Sequence, residues 1–96
     1  MNNNEKLNDI LSEIANERVR QNAKWGIQNH SPIEWIAILG EEFGEAAKEA
    51  LENHFKYANN EGLANYRKEL IQVAAVAVQM IECLDRNEKL KELGYE

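Results

Sequence analysis

The densest chemistry in this chain is a run of carboxylates, Glu41-Glu42-Phe43-Gly44-Glu45, near the middle of the sequence. In a helix of 3.6 residues per turn, Glu42 and Glu45 are neighbours on one face. Like charges at that spacing destabilise a helix unless a positive group lies between them, and the run contains no lysine. A solvated acidic face is the plain explanation, and a bound divalent cation is the sharper one. A second polar pair, Glu69 and Gln72, repeats the three-residue spacing further along. Packed side by side, the two pairs would bring four oxygen-bearing side chains together. Hard divalent cations favour oxygen ligands, and Mg²⁺ needs few carboxylates because it keeps waters and takes substrate phosphates. Zinc would require Cys or His at ligand spacing, which Cys83, His30 and His54 do not offer. A di-iron bundle requires Glu three residues before His, where Leu51 precedes His54. No Ser-His or Cys-His arrangement points to covalent catalysis.

Two other regions carry groups suited to holding a ligand. Leu7, Ile10, Leu11 and Ile14 form one apolar stripe on a first helix expected over residues 4–22. Continued at 100° per residue, that stripe reaches Arg18 and Gln21. Either the helix end protrudes into solvent, or these two side chains look into a pocket that needs donors. Next comes Lys24-Trp25-Gly26-Ile27-Gln28-Asn29-His30, where the helical pattern breaks at Gly26. Trp25 offers a stacking face, Gln28 and His30 offer polar edges, and Lys24 can meet a phosphate. A lone loop tryptophan is more often a hydrophobic plug, but the cluster suits a planar polar ligand.

The elements that must position these groups are helical. Ser31, Pro32 and Glu34 form an N-terminal signal of cap, first-turn proline and capping box. The helix they open is expected over residues 32–57, with Trp35, Ile36, Leu39, Phe43, Ala46, Ala47 and Ala50 as its core face. Glu34, Glu41, Glu45, Glu49 and Glu52 lie roughly opposite, whereas Glu42 sits at the rim of the buried face. Gly44 costs helix stability and would leave room for close approach of a helix or ligand. Residues 58–62 read as a connection. A third helix, expected over residues 63–84, is apolar almost all round from Leu70 onward, so more than one neighbour must cover it. Glu69 falls on its apolar side and needs a cation, a donor or a proton. The remainder, with Leu90 and Leu93 before Gly94, reads as a short amphipathic tail. The expectation is one all-α domain over residues 1–96: an antiparallel bundle of three main helices plus a short C-terminal helix, completed by dimerisation into a four-helix or larger core.

Composition narrows the functional classes. Eleven basic and seventeen acidic residues give a net charge of −6, which argues against a general nucleic-acid binder. One cysteine cannot form an internal disulfide, consistent with a reducing compartment. The first residues show no secretory pattern, and the longest apolar run, residues 73–78, is far too short for a membrane span. The expectation is a soluble, cytoplasmic protein without a nucleic-acid polymer or membrane partner.

Glu41-Glu42-Phe43-Gly44-Glu45, followed after 23 residues by Glu69-Leu70-Ile71-Gln72, resembles the EExxE…ExxD signature of MazG-like nucleotide pyrophosphohydrolases. These belong to the all-α NTP pyrophosphatase superfamily. The stretch with Glu17-Arg18, Arg20-Gln21, Lys24-Trp25-Gly26 and Gln28 is similar to the N-terminal region of small, often phage-encoded members. The resemblance covers residues 15–85. It implies Mg²⁺-dependent hydrolysis of a (d)NTP to the monophosphate and pyrophosphate in nucleotide-pool housecleaning, with Mn²⁺ as a possible substitute. Glu42, Glu45 and Glu69 match metal ligands, and Gln72 stands where the family has aspartate. Glutamine can coordinate through its carbonyl oxygen, but it removes one charge and cannot act as a base. Glu41 becomes a water-orienting candidate beside these three catalytic carboxylates. Arg18, Gln21, Lys24, Trp25, Gln28 and His30 become the substrate-binding set, in a homodimer or homotetramer. The alternatives are a catalytically weak nucleotide-binding or sensing module and a purely structural helical dimer.

Overall fold

The computed structural model describes residues 2–56 and 63–92, without the side chains of residues 89–92. Three helices follow one another: α1 (Asn3–Trp25), α2 (Pro32–Phe55) and α3 (Ala64–Glu92). Among the described residues there is no strand, and no helix is long and apolar enough to cross a membrane.

Helix ends follow local chemistry. Asn2 caps α1, its side chain accepting from the Glu5 amide at 2.8 Å. Gly26 stops α1 at φ 73°, with its N–H donating to the Asn22 carbonyl at 2.8 Å. That left-handed backbone favours a residue without Cβ. The capping box of α2 is present in full: the Glu34 amide donates to Ser31 Oγ and the Ser31 amide donates to Glu34 Oε1. At its other end Lys56 adopts φ 55° and returns its N–H to the Glu52 carbonyl. The expected extension of α2 to Tyr57 and the connection at residues 58–62 lie outside the described residues.

The third helix departs from expectation. It does not stop near Leu84 but continues to Glu92, because residues 85–92 contain no glycine or proline and consist largely of good helix formers. Leu90 therefore falls on α3 itself rather than on a separate C-terminal helix. Leu93 and Gly94 lie outside the described residues.

Both other helices pack on α3, and they make no close backbone approach to each other. Glu13 meets Arg67, while Gln28 meets Gln79 and Arg86, so α1 and α3 run in the same direction. The start of α2 lies against the last third of α3, where Trp35 and His30 share a cleft with Met80 and Cys83, so α2 runs opposite. The buried apolar residues are few: Trp35, Ala46, Ala75, Val76 and Cys83. A radius of gyration of 16.2 Å exceeds the roughly 12–13 Å of a compact chain this long.

This open arrangement corrects the expected core face of α2. Trp35 and Ala46 are buried, but Ile36 is 56% and Phe43 65% exposed. Ile81 and Leu84 of α3 are likewise exposed. Leu7, Ile10 and Leu11 of α1 also remain largely in solvent. The periodicity marks a side that wants covering, and this chain alone covers half of it. Nor does Gly44 serve a close approach here, since a Cβ built on it meets nothing within 4 Å.

Candidate functional site

Helix periodicity brings the acidic groups together. Glu42 is half-buried on α2, with Glu45 one turn on and Glu41 beside it, both more exposed. Glu69 is half-buried on α3 and Glu17 half-buried on α1. Burial pushes the Glu42 carboxyl above its ordinary value, and the negative fields of Glu69, Glu45, Glu41 and Glu17 add to the rise in that order. Carboxylates from all three helices therefore converge on one region, with Glu42 as its most strained member. In the sequence Glu17 carries no site role beyond its place in the Glu17-Arg18 resemblance. Its signal was present: Ile10, Ile14, Glu17 and Gln21 recur at intervals of four, three and four, which sets Glu17 on the α1 stripe that faces α3.

These carboxylates share a field without being drawn into a cage. Among the described residues, no group of three or more His, Cys, Asp and Glu side chains is set to hold a metal ion. The donor set nevertheless suits a hard cation: it is all oxygen, it is crowded with negative charge, and Glu42 responds to that crowding. Gln72, the fourth position of the expected ligand set, lines the seam between α1 and α3 beside Glu17. Glu17 is itself held low by its hydrogen bonds to Arg20, against some burial, with Gln72, the Arg20 charge and Gln21 helping.

The residues expected to hold substrate fall into two groups. Arg18 and Gln21 are buried, 7% and 8% exposed, as the α1 stripe requires. They do not look into an open pocket. Arg18 Nε donates to Glu82 Oε1 at 2.6 Å, Nη1 to Gln21 Oε1 at 3.0 Å and Nη2 to Asn22 Oδ1 at 3.0 Å. The first bond fastens α1 to α3, the other two stay within α1, and together they leave Arg18 little to offer a ligand.

The loop of residues 26–31 is fastened at the opposite end. Arg86 Nη2 donates to the Gln28 carbonyl and to Asn29 Oδ1, each at 3.0 Å. Gln79 Nε2 reaches Gln28 Oε1 at 3.5 Å. His30 stands edge-on to Trp35, with ring centroids 4.8 Å apart. Burial pushes the neighbouring Cys83 thiol up, but the Trp35 indole, the His30 backbone, Arg86 and Asn87 together bring it below its ordinary value. The Trp35 N–H has no well-aligned acceptor, so its influence on the sulfur is a contact of proximity. Trp25 is 62% exposed, with Lys24 Nζ 4.8 Å above its ring. Gln79 and Arg86 follow Glu69 by 10 and 17 residues on one helix, so the loop is anchored about 15–25 Å from that carboxylate. One protomer does not bring residues 24–30 to the acidic cluster.

No family model, curated protein or solved structure matches the chain.

Proposed function

We propose that this protein is a Mg²⁺-dependent nucleoside triphosphate pyrophosphohydrolase of MazG-like type, converting a (d)NTP and water to the (d)NMP and pyrophosphate in nucleotide-pool housecleaning. The observation that carries this reading is the convergence of Glu42, Glu45, Glu69, Glu41 and Glu17 from three helices, with the Glu42 carboxyl raised first by burial and then by these neighbours. Acidic residues scattered on a solvated surface would relax away from one another.

Glu42, Glu45 and Glu69 are the residues that would hold Mg²⁺, with the Gln72 carbonyl oxygen as a neutral fourth donor. When bound, the ion neutralises triphosphate oxygens and lowers the pKa of a coordinated water. Glu41, exposed beside Glu42, would orient a water toward the α-phosphorus. The half-buried carboxylates of Glu42 and Glu69 restrict the donor set to oxygen and so select a hard cation. Mn²⁺ meets the same requirement.

Ile36 and Phe43 on α2, with Ile81 and Leu84 on α3, suit coverage by a second copy, which would close a four-helix core. In such a homodimer, or a homotetramer built from it, the loop of residues 24–30 serves the pocket of the assembly rather than of its own chain. An 11.0 kDa monomer at micromolar concentration in sedimentation would refute this assembly.

The deciding experiment combines the purified chain, a panel of (d)NTPs and Mg²⁺, with pyrophosphate detected. Release that disappears in Glu42→Ala supports the enzyme. No release, together with a melting temperature indifferent to Mg²⁺, overturns the site. The engagement of Gln72 with Glu17 favours one second reading, a nucleotide-binding module without turnover. Binding without release is its signature.

A further inference from the structure

The carboxylate cluster has a basic neighbour. Between α1 and the first part of α3 lies a groove of about 390 Å³, into which Arg20, Arg67 and Lys68 project. Glu17 and Gln72 also line it, so the groove adjoins the cluster through residues that belong to both. Glu13 lines it as well, and Glu13 and Glu17 pair with Arg67 and Arg20, so the groove lining keeps one positive charge in a chain of net charge −6.

We infer that this groove is a subsite for the pyrophosphate portion of a triphosphate, gripped by Arg20, Arg67 and Lys68. The inference rests on the proposed hydrolysis of a nucleoside triphosphate and extends it to the phosphates beyond the scissile bond.

Each cation has capacity to spare. Arg20 presents Nε and Nη2 to Glu17, which leaves Nη1 uncommitted. Arg67 presents Nη1 and Nη2 to Glu13, which leaves Nε uncommitted. Lys68 is exposed and makes no hydrogen bond or ion pair among the described residues. A guanidinium carries five donors in a planar fork, so each arginine can keep part of its carboxylate contact while meeting a phosphate oxygen. The Arg67–Glu13 pair is exposed on both sides, and such pairs are weak and salt-screened, so a polyanion can displace it. Arg20 can turn its exposed guanidinium edge to a phosphate and keep its contact with the half-buried Glu17. Glu13 and Glu17 then hold the two arginines oriented until the phosphates arrive. A triphosphate lying across Glu17 and Gln72 would place one part at the carboxylates and the other among the cations. Cationic clamps on the phosphates beyond the reacting one are a general need of phosphoryl chemistry.

The test is calorimetric titration of inorganic pyrophosphate into the full chain without divalent cation, repeated for Lys68→Gln, Arg67→Gln and Lys48→Gln. Lys48 is an exposed α2 residue that does not line the groove. Expected is at least a tenfold weakening for Lys68→Gln and for Arg67→Gln, rescue in Lys68→Arg, and no change for Lys48→Gln. Equal weakening in all three glutamine variants, or none in the groove pair, overturns the subsite. Because Lys68 is exposed and makes no hydrogen bond or ion pair among the described residues, its variant is expected to fold as the parent does, which far-ultraviolet circular dichroism checks. The subsite and the enzyme fail separately. Pyrophosphate bound through the groove by a chain that hydrolyses no (d)NTP refutes the enzyme alone. Hydrolysis lost in Glu42→Ala, with KM unchanged in Lys68→Gln and Arg67→Gln, refutes the subsite alone.

Discussion

The two ends of α3 present opposite chemistry. Around its first turns stand charged side chains from three helices, half-buried carboxylates on one flank and cations on the other. Around its last turns stand Trp35, Met80, Cys83 and a loop held by neutral hydrogen bonds and one arginine. The first end is rich in charge, only part of it paired, and poor in large buried side chains. The second contains the largest buried side chain of the core, Trp35, and has its polar groups largely paired. Packing and charge are thus separated along one helix, which permits a crowded acidic cluster without loss of the fold.

The separation can be broken at either end. The largest effect is expected at the apolar end, where Trp35→Ala should cost about 3–5 kcal/mol in chemical denaturation through lost transfer energy and a cavity. Glu69→Gln should leave the fold intact and lower (d)NTP hydrolysis on the order of 100-fold, or about 2.7 kcal/mol in the barrier. If Glu69→Gln unfolds the chain instead, the two ends are not separate. Between them, Arg18→Met removes the link from α1 to Glu82 and leaves Gln21 and Asn22 without their donor. A loss of about 1–2 kcal/mol is expected, with little change in kcat.

The smallest effect tests the charge crowding itself. Because the folded state raises the Glu42 carboxyl above 4.5, the ionised group disfavours folding at neutral pH. That penalty is fully present above the raised value and fades as pH falls toward the ordinary one. Glu42→Gln should therefore melt higher than the parent at pH 7 without divalent cation. The expected gain is roughly 0.5 kcal/mol, or about 2–4 °C, gone by about pH 4. Added Mg²⁺ should reverse the ranking, by raising the parent and not the variant. A variant that melts lower at pH 7 would show that Glu42 is not crowded.

Much of this was legible in the sequence where short-range rules apply. Ser31, Pro32 and Glu34 announced the start of α2, and the α1 stripe correctly placed Arg18 and Gln21 on the buried side. A stripe shows that a side chain faces something, not what it faces. Arg18 was read as a ligand donor, yet Glu82, 64 residues away, had already engaged it. Phe43 and Ile36 follow the core period of α2, but periodicity is blind to whether the covering surface belongs to the same chain. The pairs Glu42–Glu45 and Glu69–Gln72 were readable because three residues are nearly one helical turn. The α1 stripe set Glu17 toward a neighbour, but which residues it meets depends on how α1 lies against α3. The loop at residues 24–30 looked like a ligand contact by composition, and only the crossing of Arg86 over Gln28 and Asn29 shows how far from the carboxylates it is held.

One consequence follows from α1 and α2 each resting on α3 and not on each other. Distant sites with no partner residue in common contribute independently to stability, while sites in contact do not. Double mutants that combine an α1 change with an α2 change touching different α3 residues should show free energies that add, whereas either combined with its α3 partner should not. The carboxylates of Glu17 and Glu42 are the exception built into this layout. Their fields cross the space that the backbones leave open, so the two outer helices communicate through charge where they have no packing to share.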